Sequence, residues 1–189
     1  MPTLTRAAGF SLALLASSCC LPCLFKRQKP TPPPPSATYD VIGVRKGLRG
    51  FIVAYSESLC RGGEVTGTKG IAELKALGIK TVVSVCPSGR LRGLCTREGL
   101  QLVEIPFGVS GPAEHERELF LKSMRESPKP VYLHCKTGTR RAGTLAMLYR
   151  MKMGGWSFES ALLEFLRLGG DEKRDADLIS SVKPQQAVE

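Results

Sequence analysis

Residues 131–143 read Val-Tyr-Leu-His-Cys-Lys-Thr-Gly-Thr-Arg-Arg-Ala-Gly, and this stretch decides the fold. An apolar run of β type ends at Cys135, a short loop with a central glycine follows, and a helical pattern begins after Arg141. A strand, a tight loop and a helix in this order are typical of α/β domains, in which ligands bind at the carboxyl ends of the strands. We therefore expect Cys135 to lie at that edge of the sheet.

The loop has the composition of an anion cradle with a nucleophile at its floor. Cys135 and Arg141 have the spacing C-x5-R, and Gly138 gives the loop backbone angles that other residues avoid. The loop amides, the positive end of the next helix and the Arg141 guanidinium all favour a thiolate and a bound phosphate. We predict that Cys135 and Arg141 are catalytic and that Lys136, Thr137, Gly138, Thr139 and Arg140 bind the substrate, with His134 supporting the loop.

Strands and helices alternate along the rest of the chain. Further strands are predicted over 51–55, 58–63, 80–85 and 101–105. Helices are predicted from a cap at Thr68 to Gly78, over 113–126 with Leu119, Phe120 and Met124 as its apolar stripe, over 142–153, and from a cap at Ser157. This alternation predicts one α/β domain with a central, mainly parallel sheet flanked by helices.

The net charge of the 189-residue chain is +10, which favours anionic partners such as phosphorylated substrates or lipid headgroups. The basic residues are scattered and aromatic residues are few, so we expect no nucleic-acid binding. The chain has two histidines and no C-x2-C pair in the domain, and we therefore expect no zinc site and no cofactor. Cys86 and Cys95 flank a short Gly/Arg-rich loop and either pair or remain two free thiols. We expect a monomer.

The composition divides the chain into four segments. Residues 1–23 form a leader with an apolar core, 24–38 a proline-rich linker, 39–170 the folded domain and 171–189 a polar tail. Residues 15–19 read Leu-Ala-Ser-Ser-Cys, similar to a bacterial lipoprotein cleavage box, which predicts membrane anchoring through Cys19. A secreted or periplasmic protein is the alternative, and a cytoplasmic one follows if the leader is not a signal.

The motif His134-Cys135-x-x-Gly138-x-x-Arg141 resembles the signature of the cysteine-dependent protein tyrosine phosphatase superfamily. The resemblance extends over roughly residues 51–168 and is closest to the compact dual-specificity branch. The segments that carry it are Leu59-Cys60-Arg61-Gly62-Gly63, residues 74–83, Ile105-Pro106 and residues 155–161. The resemblance implies the fold of the dual-specificity phosphatases and a phosphorylated protein or small phosphomonoester as substrate. It also implies a phosphocysteine intermediate at Cys135, with Arg141 binding the phosphoryl group.

Two positions depart from the family pattern. An aspartate that protonates the leaving oxygen usually follows the Ile-Pro pair, but residues 107–116 contain none. Glu114 is the first substitute, ahead of His115 and Glu116, unless all three are solvated residues of a first helical turn. The residue after the arginine is Ala142 rather than Ser or Thr, which predicts slow turnover or a preference for good leaving groups.

The spacing from the cysteine to an arginine in this loop can also be counted in a second way. Cys135 and Arg140 fit C-x4-R, which resembles the loop of rhodanese sulfurtransferases, and a phosphatase-like bacterial family tied to sulfur metabolism has a related loop. The surrounding chain lacks the other rhodanese segments. A catalytically weak phosphate-binding module is the third alternative.

Overall fold

The computed structural model describes residues 39–184. Six strands form one sheet: β1 (Asp40–Val44), β2 (Phe51–Ser56), β3 (Leu59–Gly62), β4 (Thr81–Ser84), β5 (Gln101–Glu104) and β6 (Val131–His134). Six helices are present in the described part: α1 (Gly67–Ala76), α2 (Gly89–Glu98), α3 (Glu114–Glu126), α4 (Arg141–Gly154), α5 (Phe158–Arg167) and α6 (Ala176–Ser180).

The sheet has the order β1-β2-β3-β6-β4-β5. The β3–β6, β6–β4 and β4–β5 pairs are parallel, and β1–β2 and β2–β3 are antiparallel, so the expected mainly parallel α/β sheet is confirmed. His134 is the residue of β6 that lies opposite both Gly62 and Ser84. The register therefore brings the residues after β3, β4 and β6 together at one edge of the sheet.

Strand β6 is buried on both faces because helices cover both sides of the sheet. Val131 and Leu133 pack into the cluster that holds α3, α4, α5 and α6, whereas Tyr132 packs into the cluster of α1 and α2. Successive side chains of a strand point to opposite faces, so a strand between two helical layers is apolar throughout. This burial fixes the end of β6, and with it the position of Cys135.

Most of the predicted elements are present. The helix predicted for 113–126 is α3, but only two of its three stripe residues face the core, because Leu119 is 41% exposed while Phe120 and Met124 are buried. The N-cap residue of α1 is Thr66, not Thr68, which lies within the helix. Ser157 does cap α5, since its hydroxyl accepts a hydrogen bond from the Ser160 N–H at 3.2 Å.

The segment between Cys86 and Cys95 is not a short loop. It contains most of α2, whose N-terminal end is capped by the Ser88 side chain. Cys95 is buried beside Leu91 in the cluster of α1 and α2, and both Cys86 and Cys95 are free thiols. Of the two alternatives left open by the sequence, the structure has the free thiols.

Residues 171–184 differ from the expected polar tail. They contain α6, and Leu178 and Val182 are buried against the same core as α4. The packing of the domain thus continues past residue 170. The predicted leader and linker and residues 185–189 lie outside the described residues. Within residues 39–184, no helix is both long enough and apolar enough to cross a membrane.

Candidate active site

The loop between β6 and α4 forms a buried cradle around Cys135. Only 2% of the Cys135 surface is exposed, and the N–H of Gly138 donates a hydrogen bond to its Sγ at 3.3 Å. The loop then runs directly into the first turn of α4 at Arg141. A backbone amide that already faces the sulfur, and a helix N-terminus beside it, are the donors that a bound oxyanion requires.

Gly138 is required at its position for two independent reasons. Its φ is +83°, in the left-handed region that side chains with a Cβ disfavour. A Cβ there would also come within 2.4 Å of the carbonyl carbon of Gly62. The loop therefore packs backbone against backbone on the end of β3. The two glycines at that end are required by other neighbours, since a Cβ on Gly62 would lie 2.2 Å from the Tyr132 hydroxyl oxygen and a Cβ on Gly63 would lie 2.2 Å from the Arg49 carbonyl oxygen.

The two adjacent arginines point to different parts of the molecule. The Arg141 Nη1 donates to the carbonyl oxygen of Phe107 at 3.1 Å, so its guanidinium lies between the cradle and the segment after β5. The Arg140 guanidinium is paired instead with the carboxylate of Asp175, the residue before α6. The predicted binding of substrate by residue 140 therefore rests on its backbone N–H and not on its side chain, and it stays a prediction.

His134 is buried and uncharged near neutral pH. Burial lowers its pKa to about 4, and its ring stacks on Tyr132 with the centroids 6.0 Å apart. Its Nδ1 lies 3.4 Å from the carbonyl oxygen of Cys135, and its Nε2 has no hydrogen-bond partner in the described part of the chain. His134 thus packs on Tyr132 and makes one long polar contact with the start of the loop, and its supporting role stays a prediction.

The remaining loop side chains lie at the rim. The Lys136 ammonium is 2.7 Å from the carboxylate of Glu64, which follows β3. The hydroxyls of Thr137 and Thr139 are 3.0 Å apart and hydrogen-bonded to each other. These three residues thus have side-chain partners within the protein, and their binding of substrate through backbone N–H groups stays a prediction.

Cys86 is a neighbour of the cradle that the sequence did not indicate. It follows β4, and burial raises the pKa of its thiol, although the Arg141 guanidinium beside it acts in the opposite direction. The register places it at this edge, because Ser84 is opposite His134 and the Val85 N–H donates to the His134 carbonyl at 3.0 Å.

The candidates for the general acid lie in the first turn of α3. Glu116 is engaged in starting the helix, because its carboxylate accepts a hydrogen bond from the Ala113 N–H at 2.6 Å. Glu114 and His115 are exposed, and Glu114 lines a cleft together with Arg117 and Lys183. The role of Glu114 as acid stays a prediction.

Comparison with known proteins relates the chain to dual-specificity phosphatases. The family model described as "DSP-PTPase phosphatase fused to NAD+ Kinase" matches residues 53–177. The dual specificity protein phosphatase TpbA of Pseudomonas aeruginosa strain UCBPP-PA14 is 33% identical over 111 residues, which are 56% of this chain and 50% of the relative. The chain spans about half the length of the curated relatives that it matches.

The solved structures agree with the sequence comparison. The crystal structure of P. aeruginosa TpbA is 28% identical, with a TM-score of 0.61 over 69% of this chain and 82% of that one. A TpbA variant in complex with pTyr has 27% identity and a TM-score of 0.59 over the same shares of the two chains. The chain therefore belongs to the DSP-PTPase family, within the compact dual-specificity branch of the cysteine-dependent protein tyrosine phosphatase superfamily.

Proposed function

We propose that this protein hydrolyses phosphomonoesters through a phosphocysteine intermediate on Cys135. The observation that carries the proposal is the hydrogen bond from the Gly138 N–H to the Cys135 Sγ, in a loop that leads straight into α4. A nucleophile and the donors for a phosphate are thereby combined within one short loop. Membership of the DSP-PTPase family supports the same reaction.

The reaction has two displacements at phosphorus. The Cys135 thiolate attacks phosphorus, the bond to the ester oxygen breaks, and the leaving oxygen takes a proton from the candidate acid or from solvent as the alcohol or phenol departs. A water molecule then attacks the phosphocysteine and gives up a proton to the same acceptor, which releases phosphate and restores the thiolate. In both steps the loop amides and the planar guanidinium of Arg141 hold the equatorial oxygens, whose negative charge is distributed in the transition state.

The positions of the two arginines favour this reaction over sulfur transfer. A C-x4-R loop needs the Arg140 guanidinium at the anion, but that group is paired with the Asp175 carboxylate. Arg141, the arginine of the longer spacing, lies beside the cradle and contacts Phe107. The contacts of both side chains thus support the C-x5-R count.

We further propose that turnover is slow and that aryl phosphates are the best substrates. Ala142 is fully buried after Arg141 and offers no hydroxyl to assist departure of the thiolate. The segment before α3 has no aspartate, and a missing general acid matters least when the leaving group is already a weak base. The pTyr complex of TpbA makes phosphotyrosine, an aryl ester, the first natural type of substrate to examine.

Release of phosphate from an aryl phosphate by the purified chain tests the proposal. Cys135→Ser should abolish release while leaving vanadate bound, because the cradle keeps its donors. Cys95→Ala is a matched control, since Cys95 is also a buried thiol but lies on α2 away from the loop.

Two results would contradict the proposal. One is vanadate binding by a wild-type protein that releases no phosphate at any pH, which would indicate a binding module. The other is sulfurtransferase activity with thiosulfate that is lost in Arg140→Ala and kept in Arg141→Ala.

For the N-terminal segment we propose cleavage before Cys19 and lipid attachment to that residue. The support is the sequence of residues 15–19 and the proline-rich spacer that separates it from the domain. Mass spectrometry of the mature N-terminus tests it: a chain that begins at Cys19 with added acyl mass is expected, and an unmodified Met1 would contradict it.

A further inference from the structure

Asp175 is a buried carboxylate that contacts the cradle loop from outside the motif. Its side chain has no exposed surface, and it is paired with the guanidinium of Arg140, the last residue before α4. The adjoining segment packs on the same loop, since a Cβ on Gly169 would lie 3.2 Å from Thr139. The 169–175 segment is thus in contact with the second half of the loop.

The Asp175 carboxylate is also well supplied with other hydrogen bonds. Its Oδ2 accepts from the Arg174 Nη2 at 2.9 Å and from the Asp171 N–H at 3.0 Å. Burial disfavours its ionised form, but the hydrogen bonds from Arg174 and Arg140 outweigh burial, so the pKa of Asp175 lies below its ordinary value. The group is therefore an anion at neutral pH and stays satisfied if a single partner is removed.

The backbone at the start of α4 separates the two arginine side chains. The Arg140 carbonyl oxygen accepts from the Thr144 N–H at 2.9 Å and from the Thr144 hydroxyl at 3.2 Å, so this turn is fixed. Consecutive residues in a helix point about 100° apart. One guanidinium can therefore face Phe107 at the cradle while the other faces Asp175.

We propose that Asp175 is a positioning residue that holds Arg140 away from the anion cradle, so that Arg141 alone serves the phosphate. The inference rests on the proposed phosphatase function of the same loop. Two adjacent arginines are equal in charge and reach, and the loop by itself allows both the C-x4-R and the C-x5-R count. Asp175 favours the C-x5-R count, because it places a fixed negative charge on the side of the loop from which the Arg140 side chain extends.

Loss of Asp175 should have a distinctive kinetic effect. The side chain of Arg140 is already 33% exposed, so without its partner it can turn toward a bound anion. An anion held by Arg140 is out of line with the Cys135 sulfur, and a small misplacement of reacting groups costs a large factor in rate. Binding of anions is then retained or strengthened while turnover falls, whereas a general loosening of the loop would weaken both.

The experiment compares Asp175→Asn, Arg140→Met, Arg140→Lys and the Asp175→Asn/Arg140→Met double variant. Asp175→Asn should lower kcat on an aryl phosphate about tenfold without raising KM, and should bind vanadate at least as tightly as wild type. The double variant should recover to the level of Arg140→Met, because the competing guanidinium is gone. Arg174→Met is the control, since it removes the other arginine from Asp175 and leaves the loop untouched.

Arg140→Lys keeps the proposal testable if Asp175→Asn does not fold. Lysine retains the mobile charge but loses the planar fork that pairs with a carboxylate. Its kcat should therefore be lower than that of Arg140→Met.

Three results would overturn the inference: a folded Asp175→Asn with wild-type kcat and KM, a double variant no more active than Asp175→Asn, or Arg140→Met at or below Arg140→Lys. If the wild type releases no phosphate, the proposed function fails by itself. The vanadate affinities of the same variants then decide on Asp175: weaker binding in Asp175→Asn than in wild type would overturn its role.

Discussion

The anion cradle (residues 135–141) and the acid segment (residues 106–116) are joined by the hydrogen bond from Arg141 to the Phe107 carbonyl but are built differently. In the cradle, Cys135 is buried and Gly138 packs against the backbone of β3. In the acid segment, Val109 is 59% exposed and Glu114 lies in an exposed helical turn. The part that binds phosphate is thus formed by backbone geometry that the fold enforces. The part that should donate a proton depends on side chains that the fold leaves free. One of the two departures from the family pattern lies in this segment, and the other, Ala142, directly follows the cradle.

The largest effect is expected from Arg141→Lys, which removes the side chain that joins the two regions. Lysine keeps the charge but cannot supply a planar pair of donors to the phosphate or reach Phe107 in the same way. We expect kcat/KM on an aryl phosphate to fall about 10²- to 10³-fold. Arg92→Lys is the control, because Arg92 pairs with Glu104 at the surface, and its activity should stay close to that of wild type. A loss of less than tenfold in Arg141→Lys would remove Arg141 from phosphoryl binding.

Gly138→Ala should break the cradle itself. The added methyl would have to occupy space taken by Gly62 while the backbone stays in the left-handed region. We expect the free energy of unfolding to fall by about 1–3 kcal/mol, with vanadate binding weakened as well. Denaturant unfolding measures the free energy of unfolding, and titration calorimetry measures vanadate binding.

Gly93→Ala provides the opposite case for comparison with Gly138→Ala. Gly93 lies in α2 with open space around its Cβ direction, so alanine there should raise the free energy of unfolding by about 0.5–1 kcal/mol. Equal effects of the two substitutions would show that the contact with Gly62 does not matter.

The cradle could be predicted from the sequence because the residues that indicate its chemistry and those that indicate its secondary structure lie in the same short stretch. The apolar run before Cys135 and the pattern after Arg141 are local, and both are read directly from residues that stand next to each other. The strand order could not be predicted in the same way. That β3 and β4 both flank β6, which brings Gly62 and Cys86 to the loop, depends on pairings between distant parts of the chain.

The C-terminal segment shows where sequence patterns mislead. Residues 171–177 read Asp-Glu-Lys-Arg-Asp-Ala-Asp, a composition typical of a solvated tail. Only Asp175 of the charged residues in this run is buried, and one of its hydrogen-bond partners is Arg140, which lies 35 positions earlier. The sequence pattern did not predict α2 for a related reason. Its Gly and Arg residues, Gly93 among them, are typical of a loop, although Leu91, Leu94 and Cys95 between them are buried.

Ala142→Ser tests whether the absence of a hydroxyl after Arg141 limits the turnover rate. Ala142 is fully buried directly after Arg141, where a hydroxyl would assist the departing Cys135 thiolate. If breakdown of the phosphocysteine limits the rate, kcat should rise about threefold and the pre-steady-state burst should shrink. Ala146→Ser, one turn further along α4 and equally buried, should give no gain. A burst that is unchanged in Ala142→Ser would contradict the prediction.

The smallest effect is expected from Glu114→Gln in the acid segment. General acid help is worth about 10²–10⁴-fold when the acid is fixed, but Glu114 is exposed, so we expect a loss of at most about tenfold. The loss should appear on alkyl phosphates and be negligible on activated phenyl esters, because only the poor leaving group needs the proton. Glu118→Gln, one turn later on α3, is the matched control. An equal and negligible effect of Glu114→Gln on both substrate classes would remove Glu114 from the mechanism. The protonation step would then fall to solvent, and the difference between a fixed cradle and an exposed acid segment would account for slow turnover.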